Sequence, residues 1–309
     1  MLEKAVAFYH KLLEDPELLA KSRALFDAEF EKARLIFGGR KLSPYLRPHF
    51  VTEHDFSRIT KICETVWSAI QKVKDAAVED DSLLDLLGLT PIERDLIRID
   101  PGYKEVSPTS RLDSFLTESS FSFVELNGES PAGIAYSDLG SDIFAKLPVM
   151  KRFGERYGLR PLHGSSQLLD VLLRAYEEFC GEKPDSAPRI AIVDLKGLPT
   201  QREFELFEEF FEKQGFPAII CSPDELEYRN SRLYAADLPI DIVYKRLLVN
   251  EYIPLLDEHP ALLNACRDRA VCMVNSFRSK IIHKKALFAV LTDERFNHLF
   301  TMEEIQSIS

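Results

Sequence analysis

The stretch PRIAIVDLKGLPTQREFE, residues 188–205, decides the fold of this chain because it leads from an apolar strand into a helix. RIAIVD, at 189–194, is a short continuous apolar run of the kind found in strands that are buried on both faces. The following segment, 201–214, is predicted to be a helix that is closed by Gly215. The stretch therefore predicts one strand–helix step of a parallel sheet.

The same alternation continues on both sides of this stretch. The flanking elements predicted from the pattern are a helix at 165–179, a strand at 218–221, a third helix start at Ser222-Pro223-Asp224-Glu225, a strand at 240–245, a strand at 270–275 and a helix over about 278–292. Continuous apolar strands separated by helices predict a small parallel sheet with right-handed crossovers. We expect this α/β unit to occupy residues 161–255.

The part of the chain before residue 161 has a different texture. The first 100 residues carry helical periodicity, with Gly38-Gly39 as a helix end and Thr52 and Thr90 as helix starts. FSFVELN, at 121–127, alternates like a strand, NGESPAG then forms a turn-rich loop, and 142–158 is helical again. We therefore predict three regions: 1–160, 161–255 and 256–309.

Composition excludes several classes of protein. The 309 residues include 50 acidic and 39 basic side chains, a net charge of −11, which disfavours non-specific nucleic-acid binding. No apolar run reaches the ~18 residues of a membrane span, and the acidic start MLEKAVAFYHKLLED is not a signal peptide. The five cysteines form no CxxC and are interpreted as buried reduced thiols. We expect a cytoplasmic protein without membrane or nucleic-acid partners.

Several catalytic motifs are absent from the sequence. Glycine accounts for only 13 residues, and neither GxxxxGK[ST] nor GxGxxG occurs. HExxH and GxSxG do not occur either. These absences argue against a P-loop kinase, an ordinary Rossmann dehydrogenase, a zincin and an α/β-hydrolase.

The strand at 121–127 ends in two oxygen-bearing side chains. Glu125 and Asn127 are two residues apart, so they point to the same face of the strand. A carboxylate and an amide oxygen one pleat apart can share a hard cation such as Mg²⁺. The alternative is a strand that simply runs out into solvent.

Basic residues supply the other candidate sites. Arg111 stands two residues from Asp113, which fits either a clamp for a substrate carboxylate or a surface ion pair. Arg246 and Gln201 follow predicted parallel strands, where ligands collect; solvated strand ends are the alternative. Residues 267–285 carry six basic side chains against one acidic, +5 in total, which suggests an anionic ligand or else a solvated helix face.

Taken in order, these segments resemble the circularly permuted ATP-grasp ligases, which include eukaryotic-type glutathione synthetases and bacterial glutathionylspermidine-synthase-like and type 2 permuted proteins. The matching pieces are RLDSF at 111–115, FVELNGESPAG at 123–133, the stretch at 188–205, IDIVYKRL at 240–247 and NSFRSKIIHKKALFAVLTD at 275–293. The resemblance implies an α/β fold of the α+β kind: a helical N-terminal region, an inserted parallel-sheet substrate domain at 161–255, and the start of an ATP-grasp domain at 256–309.

The resemblance also implies roles for individual residues. Glu125 and Asn127 match positions that bind Mg²⁺ bridging the phosphates of ATP. Arg111 matches a residue that grips a substrate carboxylate, and Lys284 or Lys285 a lysine near the nucleotide. We therefore take Arg111, Lys284 and Lys285 as candidate catalytic residues.

Three further positions match substrate contacts in the family, namely Ser130, Gln201 and Arg246. The family's run of small residues around the first of these is replaced here by Glu129-Ser130-Pro131-Ala132. This departure favours the bacterial branches of the family over the enzymes that act on glutathione precursors.

The reaction implied is ATP-dependent joining of a carboxylate to an amine or amino acid through an acyl-phosphate. In the family, a glycine-rich loop and further Mg²⁺ carboxylates follow the lysine-bearing helix, whereas only 24 residues follow Lys285 here. We therefore expect a chain that lacks the C-terminal ATP-grasp part and is inactive alone, with an open cleft beside Glu125 and exposed apolar residues such as Leu287 or Phe288. The alternatives are a non-catalytic scaffold that keeps the substrate domain and, less favoured, a nucleotide-sugar transferase.

Overall fold

The computed structural model describes residues 1–105, 107–117 and 120–308, apart from the side chain of Phe37. Residue 309, the end of the predicted third region, lies outside the described residues. Along the chain, the α-helices are α1 (Leu2–Leu12), α2 (Pro16–Lys32), α3 (Glu53–Glu79), α4 (Asp81–Leu86), α5 (Pro91–Ile97), α6 (Ile134–Lys146), α7 (Pro148–Gly154), α8 (Ser165–Cys180), α9 (Gln201–Lys213), α10 (Val249–Tyr252), α11 (Ala261–Arg267), α12 (Ser279–His283), α13 (Ala286–Leu291) and α14 (Met302–Ile308).

The strands form four separate small sheets among the described residues. They are β1 (Ile36–Phe37), β2 (Arg40–Lys41), β3 (Arg111–Leu116), β4 (Phe121–Asn127), β5 (Ile190–Val193), β6 (Ala218–Cys221), β7 (Leu226–Arg229), β8 (Arg232–Ala235), β9 (Leu238–Ile240), β10 (Ile242–Lys245) and β11 (Cys272–Val274). Short 3-10 helices cover Pro223–Glu225, Ile253–Leu255 and Glu294–Leu299. The fold is therefore mixed α/β, as the sequence predicts.

The chain divides into two compact units, and the first is mainly helical. It contains Met1–Ile59, Ala132–Gln167 and Gly197–Phe207. Aromatic side chains of α1, α2, α6 and α7 make up much of its core, and Tyr9 Oη donates a hydrogen bond to the Leu46 carbonyl at 2.7 Å. The buried Glu203 carboxylate accepts from the backbone N–H groups of Gly133 (2.7 Å) and Ala135 (3.2 Å), which supplies the start of α6 with hydrogen-bond partners.

The second unit contains Thr60–Pro131, Leu168–Lys196 and Glu208–Ser309, and it is built on a parallel sheet. The strand order is β11-β10-β5-β6, and every neighbouring pair is parallel. All residues of β5 and β10 are buried, which explains the apolar sequences of β5 and of residues 242–244, whereas β10 ends in the buried Lys245. The predicted small parallel sheet is confirmed, and its fourth strand is the segment predicted at 270–275. The predicted division of the chain at residues 160 and 255 stays a prediction.

The third helix predicted after Ser222 is wrong. The Ser222–Glu225 capping box closes only one 3-10 turn, and the chain then forms the antiparallel sheet β7-β8-β9. Leu226–Arg229 and Arg232–Ala235 flank a two-residue turn, Asn230-Ser231, whose φ angles are +52° and +56°. Two consecutive residues with positive φ suit a tight hairpin, and a helix cannot continue through them.

Three other helical predictions need correction. Gly38-Gly39 forms the turn between β1 and β2 and is not a helix end, since α2 stops at Lys32. The helix predicted at 142–158 is two helices, broken at Leu147, whose backbone is extended before Pro148. The helix predicted at 278–292 is likewise divided into α12 and α13, because Lys284 has an extended backbone.

The expectation of exposed apolar residues on this last helix is also wrong for Leu287. Leu287 is completely buried, and Phe288 is half-buried against the same core as α3 and α4. All five cysteines are free thiols, although Cys180 is exposed and not buried as predicted. Within the described ranges, no helix combines the length and apolarity that a membrane span requires.

Candidate functional site

The β3–β4 hairpin gathers the predicted carboxylate clamp and the predicted metal pair. In its antiparallel register, Arg111 lies opposite Asn127, and Asp113 lies opposite Glu125. Because strand side chains alternate between faces, these four side chains share one face of the hairpin. The shared face that the sequence predicts for Glu125 and Asn127 thus extends across both strands.

Short polar contacts connect the side chains of this face. Arg111 Nε donates to Asp113 Oδ1 at 2.7 Å, and Lys285 Nζ lies 3.0 Å from Glu125 Oε2. With its amide oriented to satisfy both neighbours, Asn127 donates to Glu125 Oε1 at 3.2 Å and accepts from Arg111 Nη2 at 3.1 Å. We call Arg111, Asp113, Glu125, Asn127 and Lys285 the hairpin cluster.

The electrostatics of the hairpin cluster keep Glu125 ionised. The hydrogen bond from Lys285, and then the positive charge of the same residue, lower the pKa of Glu125. The side chains of Glu125 and Lys285 are 37% and 77% exposed. An exposed pair of this kind contributes little to folding, so Lys285 is free to exchange Glu125 for another anion.

The donor set of the hairpin cluster fits magnesium that is shared with a phosphate ligand. Asp113 and Glu125 carry carboxylate oxygens, and Mg²⁺ is commonly held by one or two carboxylates together with water and phosphates. The amide oxygen of Asn127 accepts from Arg111 Nη2, so it would have to turn toward a cation that it shared with Glu125. Across residues 1–105, 107–117 and 120–308, no group of three or more His, Cys, Asp or Glu side chains is arranged to hold a metal ion. A closed site made entirely of protein ligands is therefore not what these residues provide.

The loop after β4 is tied to the end of β11. Asn275 Nδ2 donates to the carbonyls of Gly128 (3.2 Å) and Glu129 (2.9 Å), and its Oδ1 accepts from Thr109 Oγ1 at 3.1 Å. Asn275 is completely buried. Ser130, a predicted substrate contact, is half-buried within this anchored loop.

Behind this loop lies a buried network of charges. Lys280 Nζ is 3.0 Å from Glu129 Oε1 and 3.6 Å from Glu93 Oε1. Lys245 Nζ is 3.8 Å from Glu129 Oε2, and Lys284 Nζ is 2.8 Å from Glu93 Oε2. Lys245 and Glu129 are fully buried, and Lys284 is the most exposed of the five side chains at 22%. We call these five residues the buried charge network.

Opposite effects set the pKa values within this network. Burial alone disfavours a charged Glu129, but the positive charges of Lys245 and Lys280 outweigh it and lower its pKa. For Glu93, burial is likewise overcome by the hydrogen bond from Lys284, so its pKa is also lowered. Burial lowers the pKa of Lys245, an effect that the charge of Glu129 opposes. Each carboxylate therefore stays ionised mainly because cations lie within 4 Å of it, and a backbone N–H contributes to each.

Arg246 follows β10 and reaches the same loop. Its Nη1 donates to the Pro131 carbonyl at 2.6 Å and to Tyr244 Oη at 2.9 Å, and the residue is 3% exposed. The structure thus places Arg246 beside the loop that contains Ser130. A cleft that Arg246 shares with Arg111 stays a prediction.

The structure separates the two candidate lysines. Lys285 meets Glu125 in the hairpin cluster, whereas Lys284 meets Glu93 and also donates to the Gly88 carbonyl at 3.1 Å. Gln201, the remaining predicted contact, is half-buried at the start of α9 and belongs to the first compact unit.

Sequence reasoning missed the acidic half of the buried charge network. In the sequence, Glu93 is simply the third residue of the helix that follows Thr90. Glu129 is only one of the residues that replace the family's run of small residues. The basic segment 267–285 is largely neutralised by acids distant in sequence: Arg269 by Asp100, Lys280 by Glu129 and Glu93, Lys284 by Glu93, and Lys285 by Glu125. Most of the positive charge of this segment is therefore already balanced by the protein itself. The segment is a weaker indication of an anionic ligand than the sequence alone suggests.

Comparison with known proteins adds information on the fold. No family model matches this chain, and no curated protein matches it. Among solved structures, a glutathione synthetase-like effector from Globodera pallida in its apo form superimposes with a TM-score of 0.61 at 14% sequence identity. The match covers 96% of this chain and 71% of that one. The chain therefore has a mixed α/β fold similar to that of a glutathione synthetase-like protein.

Proposed function

We propose that this protein is an ATP-dependent carboxylate–amine ligase of the permuted ATP-grasp kind. The observation that carries the proposal is the hairpin cluster, in which Arg111, Glu125, Asn127 and Lys285 converge although residue 285 is far from the others in sequence. The similarity of fold to a glutathione synthetase-like protein supports it.

In this proposal the hairpin cluster binds the phosphates and the acidic substrate. Glu125 and Asn127 would hold Mg²⁺, which when bound would supply charge neutralisation for the transferring phosphoryl group. Arg111 binds and orients the substrate carboxylate, and Lys285 balances negative charge on the nucleotide. A carboxylate oxygen attacks the γ-phosphorus, ADP leaves, and an amine then displaces phosphate from the acyl-phosphate to form the amide.

Three buried residues, Arg246, Asn275 and Glu129, position the loop that carries Ser130. Arg246 and Asn275 bind carbonyls of this loop, and the buried Glu129 carboxylate accepts from the Val249 backbone N–H at 2.6 Å. A loop fixed from three directions loses little entropy when a substrate binds to it. Ser130 and Arg246, both in the second compact unit, are proposed to contact the substrate, and Gln201 of the first unit stays a predicted substrate contact.

Calorimetric titration of Mg·ATP into the 309-residue protein tests this proposal. We expect binding that Glu125→Gln weakens about tenfold or more, because removal of a charged ligand weakens a metal site at least as much as loss of a supporting residue. Glu227→Gln is the matched control, since it removes another exposed strand carboxylate, on β7. Binding that Glu125→Gln leaves unchanged would show that the nucleotide does not use the hairpin cluster.

A non-catalytic scaffold is the second candidate, and a specific observation favours it. Asp113 and Glu125 are each already paired with a basic side chain of the protein, so neither is an uncompensated carboxylate. A scaffold should give no heat with Mg·ATP. The expectation that this chain does not complete the reaction by itself stays a prediction, and an assay for ADP release in the presence of candidate acids and amines tests it.

A further inference from the structure

A cavity of about 460 Å³ opens in the second compact unit and uses no residue of the hairpin cluster. It is lined by side chains of α3, the loop at 100–104, α8 and the segments on either side of β11. Four of these side chains are basic and three are acidic. Its volume is in the range of small-molecule sites, about 300–1,000 Å³.

Two of the four cations are already matched by carboxylates. Lys74 Nζ lies 2.8 Å from Asp75 Oδ1, and the Lys74 side chain is only 6% exposed. Arg269 Nη1 lies 3.6 Å from Asp100 Oδ2. These two pairs leave little net charge for a ligand to recognise.

The other two cations have no such match. Among the described residues, no carboxylate lies within ion-pairing distance of Lys104 or Arg278. Arg278 Nε donates to the Ile97 carbonyl at 3.0 Å, which fixes the guanidinium while its terminal nitrogens keep their hydrogen-bonding capacity. The third lining acid, Glu178, accepts a hydrogen bond from the Lys104 backbone N–H at 3.1 Å. In the part of the chain that the structure describes, no basic side chain lies within ion-pairing distance of Glu178. The cavity therefore presents two unmatched positive groups and one unmatched negative group.

The backbone keeps one wall of the cavity free of side chains. Gly102 has a φ of +78°, and a Cβ there would lie 2.7 Å from Phe179 Cδ2 and 2.8 Å from Arg269 Nη2. Any side chain at this position would be strained and would displace the Arg269 guanidinium. Glycine thus preserves both the space and the pairing of Arg269 with Asp100.

We propose that this cavity binds a small phosphate monoester that carries an ammonium group. A phosphate monoester brings about 1.5 to 2 negative charges and three acceptor oxygens, which match Lys104 and Arg278 together better than a single carboxylate does. The ammonium group pairs with Glu178. The volume exceeds what a phosphate ion alone would fill, so an organic phosphate fits the space.

Calorimetry at low ionic strength with two probes, O-phosphoethanolamine and ethyl phosphate, tests this proposal, since exposed charges interact most strongly there. We expect O-phosphoethanolamine to bind more tightly than ethyl phosphate, which has no ammonium group. Lys104→Gln, at an exposed position, should weaken both about tenfold, the usual cost of one charge-assisted hydrogen bond. Glu178→Gln should abolish only the preference between the probes.

Matched variants distinguish this cavity from other basic surfaces and from the hairpin cluster. Arg267→Gln removes an exposed cation that does not line the cavity, and Glu125→Gln disables the proposed magnesium site; neither should change the binding of either probe. Failure of the ligase proposal would thus leave this result intact. Absence of binding, binding insensitive to Lys104→Gln, or a preference that survives Glu178→Gln would overturn the assignment.

Discussion

At the scale of single residues, the main feature is the contrast between exposed and buried ion pairs. Lys285 and Glu125 meet at the surface, where water and salt screen their attraction. Lys280 and Glu129 meet at a similar distance but are 6% and 0% exposed. A buried charge that loses its partner keeps its full desolvation cost, so the two pairs should respond very differently to the same substitution.

Replacing Lys280 by Met should therefore lower the free energy of unfolding by about 3 kcal/mol, because it leaves Glu129 and Glu93 with fewer cations. Lys245→Met should cost less, since Lys245 lies farther from Glu129 and contacts no second carboxylate of the network. Urea denaturation measures both. Lys285→Met is the exposed control and should leave stability nearly unchanged; an equal effect of Lys280→Met and Lys285→Met would contradict this account.

At the scale of elements, close backbone approach positions the loop after β4. Gly128 has no side chain, and a Cβ there would lie 2.7 Å from Ile282 Cγ1 and 3.4 Å from the His283 backbone nitrogen. The loop therefore rests directly on α12. Because α12 ends just before Lys284 and Lys285, this contact also helps to position the two lysines.

Gly128→Ala should destabilise the protein by about 1–3 kcal/mol, since the added methyl overpacks a core contact. It should also weaken Mg·ATP binding, because α12 and the loop would have to separate. Gly140→Ala is the matched control: Gly140 lies inside α6 with open space around its Cβ position, so alanine there should stabilise by about 0.5–1 kcal/mol. Thermal unfolding of both variants would measure the difference, and destabilisation by both would refute the steric explanation.

At the scale of the second compact unit as a whole, the order of strands creates a natural binding position. The chain runs from β5 to β6 on one side and then crosses to β10 and β11 on the other, so the topological switch point lies between β5 and β10. Ligands of open α/β sheets bind outside the carboxyl ends of strands at such points. Asp194 follows β5 there, and Lys245 and Arg246 stand at the end of β10.

The same topology buries Asp194 and shapes the pH dependence of stability. Burial raises its pKa to about 6, although the Leu195 backbone N–H favours the ionised form. The folded state thus binds a proton that the unfolded chain releases between pH ~4 and 6, so this group destabilises the fold as pH rises through that window.

Asp194→Asn should accordingly stabilise the protein by about 2–3 kcal/mol more at pH 7.5 than at pH 4, since the amide keeps an acceptor for Leu195 but never ionises. Urea denaturation at the two pH values measures this difference. Asp185→Asn makes the same replacement at an exposed position, serves as the control and should change stability little. An Asp194→Asn effect that is the same at both pH values would exclude a raised pKa.

Local patterns in the sequence were sufficient for much of the fold. The strands β5, β6, β10 and β11 lie in largely apolar stretches of sequence, and α8 and α9 match the predicted helices closely. The shared face of Glu125 and Asn127 follows from strand geometry alone. Local patterns failed where the same short signal can precede two different structures. The capping box at Ser222 is compatible with a helix or with a single turn, and the pairing of β7 with β8 is what makes the following residues a strand.

What the sequence alone determined about this protein is therefore most elements of the parallel-sheet region, the parallel character of that sheet and the residue types available for chemistry, because those depend on neighbours within a few positions. Only the tertiary structure decided which acidic side chain pairs with which basic side chain. Glu93 pairs with Lys284, and Glu129 with Lys280, across more than 150 residues of chain. Such pairs have no local signature, since both the desolvation cost of each charge and the strengthened attraction between them exist only after the sheet and helices have packed.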